Sequence, residues 1–278
     1  RYIILHSLFT VCGKGRKMKT AIIQMNSGLD KKSNVLKAKQ LVLQACRRGA
    51  GLIVLPEAFT YRGPLGLKNQ KEQSADTMGG SLIKEFSAIA REKNACIVLG
   101  SFYEPSSDKK RFYNTMVVIS AKGETAAVYR KRHLFKARLK TSPVDEGRHF
   151  VAGKKTAAAR LGPFRLGCAI CYDLRFPEMF QQYYKKGCNV LVVPSAFTHE
   201  TGKAHWETLL RARAIETRSY VLAPNQYGKD GNGVMAHGNS MIVDPWGKVL
   251  ARAKTVGTEV LYAELALGEI QKARQRLP

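Results

Sequence analysis

An α/β layered domain with covered sheets is the fold this chain predicts, on three observations. Short apolar, β-branched runs alternate with helical patterns along its length. Many of those runs are continuously apolar rather than alternating, as strands buried on both faces are. No Pro/Ser-rich linker, acidic block or short repeat divides the 278 residues.

The elements follow in order. TAIIQM (20–25) reads as a strand. Ser33 is placed to cap a helix carrying Val35, Leu36, Leu41, Val42 and Ala45, which Gly49 would stop. GLIVLPE (51–57) is a strand broken by Pro56. Residues 81–93 make an amphipathic helix with Leu82, Phe86, Ile89 and Ala90 on one face. ACIVLGSF (95–102) and NTMVVIS (114–120) are strands, KGE is a turn, and TAAVYRK resumes extended chain. The second half repeats the style. FRLGCAI (164–170) is a strand, and Pro177 suits the first turn of a helix that runs to about Lys186 and ends at Gly187. NVLVVPS (189–195) is a strand, and 203–219 is a helix rich in Arg and Glu. YVLAPNQ (220–226), SMIVDPW (240–246) and, after a turn at Gly247, KVLARA are strands.

Composition narrows the function classes. No run approaches the roughly 18 apolar residues a membrane span needs, so no membrane span is expected. Lys and Arg total 46 against 21 Asp and Glu, a net charge of +25. That balance fits an anionic partner or an acidic substrate. The basic residues are spread along the chain with no low-complexity tail, so no specific nucleic-acid partner is expected. Residues 1–17 carry Arg and Lys but no acid, and read as a leader or extension, an organellar targeting leader included. The domain is expected to be 18–278. Six cysteines at 12, 46, 96, 168, 171 and 188 are too sparse for a disulfide scaffold. Cys46, Cys96 and Cys188 sit in or beside apolar runs as buried thiols, which points to a reducing, cytoplasmic compartment.

GCAICYDLRFPE (167–178) leaves three readings open. A structural zinc site needs four ligands, usually as two close pairs, and no second pair follows Cys168 and Cys171. The histidines at 133, 149, 199, 205 and 237 lack ligand spacing. A redox pair heads a helix, whereas Cys168 falls inside the strand and reads as core packing. Cys171 falls where the strand ends and a helix soon begins, which suits a nucleophile near backbone N–H groups. A thiol also needs a base and a partner for developing charge. LPEAF puts Glu57 just past one apolar strand, and YRKRHLF puts Lys131 just past another. Each taken alone is more often a solvated surface charge.

LPEAF, YRKRHLF and CYDLRFPE, in that order and at those separations, resemble the nitrilase superfamily of carbon–nitrogen hydrolases. DEGRHFVAG, the segment 194–228 and HGNSMIVDPWGKVLA agree, and the long segment is similar to the Nit-type amidase branch. The resemblance covers 18–278. It implies a four-layer α-β-β-α sandwich and a triad in which Cys171 is the nucleophile, Glu57 the general base and Lys131 the group facing the tetrahedral intermediate. It implies Glu146 as a second, supporting glutamate, the Tyr172 N–H as an oxyanion donor, and Arg175 and Thr201 as the grip on a substrate carboxylate. A structural salt bridge from Arg175 to Asp173 or Glu178 is the alternative, and His205 and Trp206 can be helix packing. No metal and no organic cofactor is implied.

The implied reaction is cysteine-dependent hydrolysis of a small carboxylate-bearing amide through a thioester, with deaminated glutathione as first substrate. An ω-amidase acting on 2-oxo acid amides, and a nitrilase, are the enzyme alternatives. A basic nucleic-acid-binding module is the non-enzyme one. The resemblance also implies a homodimer or larger homo-oligomer paired through the helix after Cys171 and that at 203–219. One stretch departs from the pattern: HLFKARLKTSPVDEG carries Lys136, Arg138 and Lys140, so a basic entrance favouring anionic amides is expected.

Overall fold

The computed structural model describes residues 17–65, 74–108, 110–138 and 143–278, Pro143 by its backbone alone. Cys12, Lys140 and leader residues 1–16 lie outside them. Lys17, counted above with the leader, opens the first strand instead and pairs with Glu264 across the sheet.

Sheet one takes β1 (Lys17–Gln24), β2 (Leu52–Val54), β3 (Cys96–Pro105), β4 (Phe112–Ile119) and β5 (Thr125–Arg130). Two short strands, β6 (Lys136–Arg138) and β7 (Pro143–Asp145), form a ribbon beside it. Sheet two takes β8 (Ala158–Leu161), β9 (Phe164–Cys168), β10 (Val190–Val192) and β11 (Tyr220–Ala223). A hairpin of β12 (Tyr227–Lys229) and β13 (Met235–His237) precedes its last members, β14 (Met241–Val243) and β15 (Val249–Arg252). The chain then returns to sheet one as β16 (Glu259–Ala266). The strand orders are β16-β1-β2-β3-β4-β5 and β15-β14-β11-β10-β9-β8. In both sheets the central pairs, β1-β2-β3 and β9-β10-β11, are parallel, which explains their continuous apolar runs.

Strand alternation sorts the core into layers. Ile22, Val54, Val98 and Met116 of sheet one share a core with Leu166, Cys168, Val190 and Val192 of sheet two. Their neighbours Ala21, Ile23, Ile53, Ile97 and Val117 face the other way. There they meet α1 (Lys31–Arg47) through Ala38, Val42 and Ala45, and α2 (Ser81–Glu92) through Leu82, Phe86, Ile89 and Ala90. Each fully buried large apolar side chain contributes about 1.5–3 kcal/mol. The outer face of sheet two is covered by α3 (Pro177–Lys185) and α4 (His199–Thr217). Gly167 makes room for α3, since a Cβ there would lie 2.7 Å from the Tyr183 ring. The order is helix, sheet, sheet, helix: the expected four-layer sandwich.

Several boundaries differ from the sequence reading. Asp30, not Ser33, caps α1: its carboxylate accepts from the Lys32 and Ser33 amides, and Ser33 Oγ donates to it. Leu36, assigned to the buried face, is 57% exposed. α4 starts at His199, four residues early, because Thr198 serves as its N-cap. β16 and α5 (Leu267–Arg276) have no counterpart in that reading. β16 alternates weakly and earns its place by eight antiparallel pairings with β1.

Candidate active site

Three strand ends converge between the sheets. Glu57 follows β2 on a segment that β3 can approach only because residue 100 is glycine. A Cβ there would lie 1.9 Å from the Leu55 carbonyl oxygen and 2.3 Å from that of Pro56. The β3–β4 register slips at this point, between Leu99 and Phe102. Ser101 then receives the Ala58 amide on its Oγ at 2.8 Å and the Phe59 amide on its carbonyl at 3.1 Å. From sheet two, Gln226 Nε2 donates to the Glu57 carbonyl at 2.9 Å. Lys131 follows β5, its amide bonded to the Asn114 carbonyl. Cys171 follows β9 at φ +48°, a left-handed conformation uncommon for a non-glycine residue. It opens a 3-10 turn, Cys171–Arg175, and its N–H donates to the Pro194 carbonyl at 3.0 Å.

The side chains meet. Lys131 Nζ donates at 2.9 Å to Glu57 Oε1 and at 2.9 Å to Glu146 Oε1. Glu57 also accepts from Asn114 Nδ2 at 2.9 Å and from the Ala196 amide at 2.8 Å, and the Cys171 thiol lies close enough to feel its charge. Glu146 comes from the 3-10 turn Glu146–Arg148, and its second oxygen accepts from the Phe135 amide at 2.7 Å. Within that turn the Asp145 carboxylate caps Gly147.

Burial acts on every one of these groups but does not always decide the direction. It pushes the Glu57 carboxyl up, but the Lys131 charge and hydrogen bond outweigh it, leaving Glu57 below its ordinary value. Glu146 has fewer donors: burial and the neighbouring Glu57 charge hold it above, against the pull of Lys131. For Lys131, 1% exposed, burial is outweighed by the two glutamates, so it stays charged with its value well above normal. Burial, then the Glu57 charge, lift the Cys171 thiol well above the usual range, against Lys131. The resting site therefore holds a neutral thiol against an ionised carboxylate. A base so placed can take the thiol proton only as sulfur attacks.

Glu57, Glu146 and Cys171 open on a cavity of about 370 Å³, within the range of small-ligand sites. Tyr172, Arg175 and Thr201 line it. The Tyr172 N–H has no partner among the described residues. The Arg175 guanidinium lies 5.3 Å from the Phe197 ring centroid and reaches His205 Nδ1 at 3.3 Å. It makes no ion pair with Asp173 or Glu178, because Asp173 is fully engaged elsewhere. Thr201 Oγ1 pairs with Thr198 Oγ1 at 2.8 Å on the first turn of α4. Trp206 is core, its indole N–H on the Asn239 carbonyl.

Three features escaped sequence reading. Asn114, from β4, holds Glu57. Asp173, fully buried, accepts from the Ile170 amide (2.9 Å), the Tyr129 hydroxyl (2.5 Å), the His133 amide (3.0 Å) and His133 Nδ1 (2.7 Å). It thereby ties the Cys171 turn to the segment after Lys131. The CYD triplet was its only signal. Third, Arg148 lines the cavity, while Lys136 and Arg138 of the expected basic entrance do not. Lys136 lies 3.4 Å from Asp145 and is 79% exposed. Cys168 is packed between the sheets, its thiol pushed up to about 12 by burial and then by Cys188, and the five described cysteines are free.

Comparison with known proteins agrees with this architecture. The carbon-nitrogen hydrolase family model matches residues 19–275. The chain is 38% identical over 265 residues to the deaminated glutathione amidase of Homo sapiens, covering 93% of this chain and 80% of that protein. The C. elegans NitFhit structure superposes with a TM-score of 0.83 at 34% identity, over 94% of this chain; the chain spans 64% of that one. An amidase from Nesterenkonia sp. AN1, solved with acrylamide added at its active-site cysteine, superposes with a TM-score of 0.75 at 26% identity, covering 94% and 98% of the two chains.

Proposed function

We propose, for a chain that belongs to the carbon–nitrogen hydrolase family, that its amide-hydrolysing chemistry runs on Glu57, Lys131 and Cys171 and acts on a small carboxylate-bearing amide, deaminated glutathione first. The observation that carries this reading is the Cys171 thiol beside a carboxylate that Lys131 keeps ionised, both lining a cavity that Arg175 also lines.

In the proposed cycle the substrate carboxylate lies on Arg175 and Thr201. An Arg fork suits it because it can bind both oxygens. Glu57 accepts the thiol proton as sulfur bonds to the amide carbon. The carbonyl oxygen takes the negative charge and meets Lys131 Nζ and the Tyr172 N–H, each such donor being worth about 3–4 kcal/mol in the transition state. The C–N bond then breaks, and Glu57 returns its proton to the departing nitrogen. A thioester on Cys171 remains. Water, giving its proton to Glu57, attacks the thioester and releases the acid and the thiol. Glu146 keeps Lys131 in place throughout.

The test is a panel of deaminated glutathione, 2-oxoglutaramate and a simple nitrile. The readout is released acid together with the leaving amine or ammonia, with hydroxylamine present in parallel to trap the thioester as a hydroxamate. Amide turnover that disappears in Cys171→Ala is expected. Acid production that survives that substitution would refute the cysteine mechanism, and nitrile turnover exceeding amide turnover would refute the substrate class.

The same reading extends to assembly and setting. A homodimer or larger homo-oligomer is proposed through the α3–α4 side of the molecule. Support comes from Ile215, 43% exposed, lining a groove along α4. Light scattering of the purified protein decides it. The free thiols support a reducing, cytoplasmic setting, and no described helix is long and apolar enough to cross a membrane.

A further inference from the structure

We propose that Arg148 is a second anion-binding arm of the cavity, holding a carboxylate on the amine side of the scissile bond and so selecting amides whose leaving group is itself acidic. This deepens the amidase reading and rests on it.

The charges around the cavity single Arg148 out. Arg62, also at the cavity wall, is paired with Asp230 at 2.6 Å. Lys131 is clamped by two glutamates. Arg148 makes no ion pair or hydrogen bond among the described residues, although Asp145 and Glu146 are its near neighbours in the chain. Their oxygens are committed. Glu146 takes Lys131 and the Phe135 amide, and Asp145 takes the Gly147 amide and lies near Lys136. Asp230 takes Arg62 with one oxygen and the Asn232 and Val234 amides with the other. Arg148, an exposed residue, therefore borders a cavity whose acidic groups are all engaged elsewhere, and a ligand carboxylate is the counter-charge that remains.

Its position fits the leaving side. Arg148 sits two residues after Glu146 on a turn fixed by the Glu146 amide on the Phe135 carbonyl and by the His149 and Phe150 amides on the Glu146 carbonyl. The neighbouring residues His149 and Val151 exchange hydrogen bonds with Phe112, so this wall belongs to sheet one, with Glu57. Arg175 stands four residues after Cys171, on the nucleophile turn between sheet two and α3. A nitrogen protonated by Glu57 as it departs must face the Glu57 wall, where Arg148 stands. A substrate bridging the two arms carries one carboxylate on its acyl chain and another on its amine.

The experiment is a cycle between enzyme and substrate. The pair is deaminated glutathione and its C-terminal carboxamide, which lacks only the leaving-group carboxylate. Wild type should favour the free acid in kcat/KM by about tenfold, as for a charge-assisted pair near solvent. In Arg148→Ala the ratio should fall to near one. In Arg148→Glu it should invert. Lys136→Ala, which removes a charge nearby outside the cavity, should keep the wild-type ratio. An unchanged ratio in Arg148→Ala, or an equal fall in Lys136→Ala, overturns the assignment while leaving the amidase reading intact. A wild type that hydrolyses neither compound nor 2-oxoglutaramate removes both.

Discussion

Replacing Asp173 with asparagine tests how the site is held together. The carboxylate is inaccessible to solvent and accepts four hydrogen bonds, two on each oxygen. Oδ1 takes the His133 amide and ring, and Oδ2 takes the Ile170 amide and the Tyr129 hydroxyl. Asparagine keeps one acceptor oxygen and turns an NH2 toward the other pair. The Tyr129 hydroxyl can rotate, and the His133 ring can present its other tautomer. A backbone N–H can do neither, so whichever way the amide turns, one buried main-chain donor faces another donor. That leaves one unsatisfied group and weakens the charge-assisted bonds that remain, about 3–5 kcal/mol in all. For a chain of this size that is a fall in Tm of roughly 5–9 °C, read by thermal denaturation followed by circular dichroism. The damage should also reach chemistry, because Asp173 ties the Cys171 turn to the chain after Lys131; kcat should fall in protein still folded at 10 °C. A Tm within about 2 °C of wild type would refute the view that Asp173 is a buried anchor.

Two further outcomes are expected. Gly100→Ala should cost about 2–4 kcal/mol and most activity, because the new methyl meets backbone carbonyls that cannot move without displacing Glu57. Gly167→Ala meets only the Tyr183 ring and should cost less, and equal Tm values for the two would contradict this. On acidification the upward-shifted Glu146 protonates before Glu57, which lies below its ordinary value. The kcat/KM profile should therefore fall in two acid steps, partly above the usual glutamate range and completely below it. Glu146→Gln should remove the upper step, and a single step retained in both enzymes would be incompatible with this order.

The family resemblance rested on segments that stay intact in the linear chain: a carboxylate, an amine and a thiol, each just past an apolar strand. The strands before Glu57 and Cys171 are legible because burying the faces of parallel-paired strands demands apolar runs such as LIVL, whereas β5, before Lys131, is a largely exposed antiparallel edge strand. The α2 face is legible because Leu82, Phe86, Ile89 and Ala90 repeat at helical spacing. The α1 cap was misassigned because Asp30 and Ser33 both offer an oxygen, and only the backbone turn decides which serves. β16 was missed because an edge strand half-buried on both faces, Leu261 and Ala263 toward one core and Val260 and Tyr262 toward the other, shows no strong alternation of its own.

The sequence by itself determined the layered α/β class, the strand-end positions of Glu57, Lys131 and Cys171, and Cys168 as a packing thiol. These are local properties, written in periodicity and in which residue follows a strand. The tertiary structure alone decided that Lys131 lies between two glutamates, that Asn114 and Asp173 hold the site, and that Arg148 rather than Lys136 or Arg138 reaches the cavity. Such facts depend on which distant segments consume one another's hydrogen bonds and charges, and a linear pattern carries no record of that pairing.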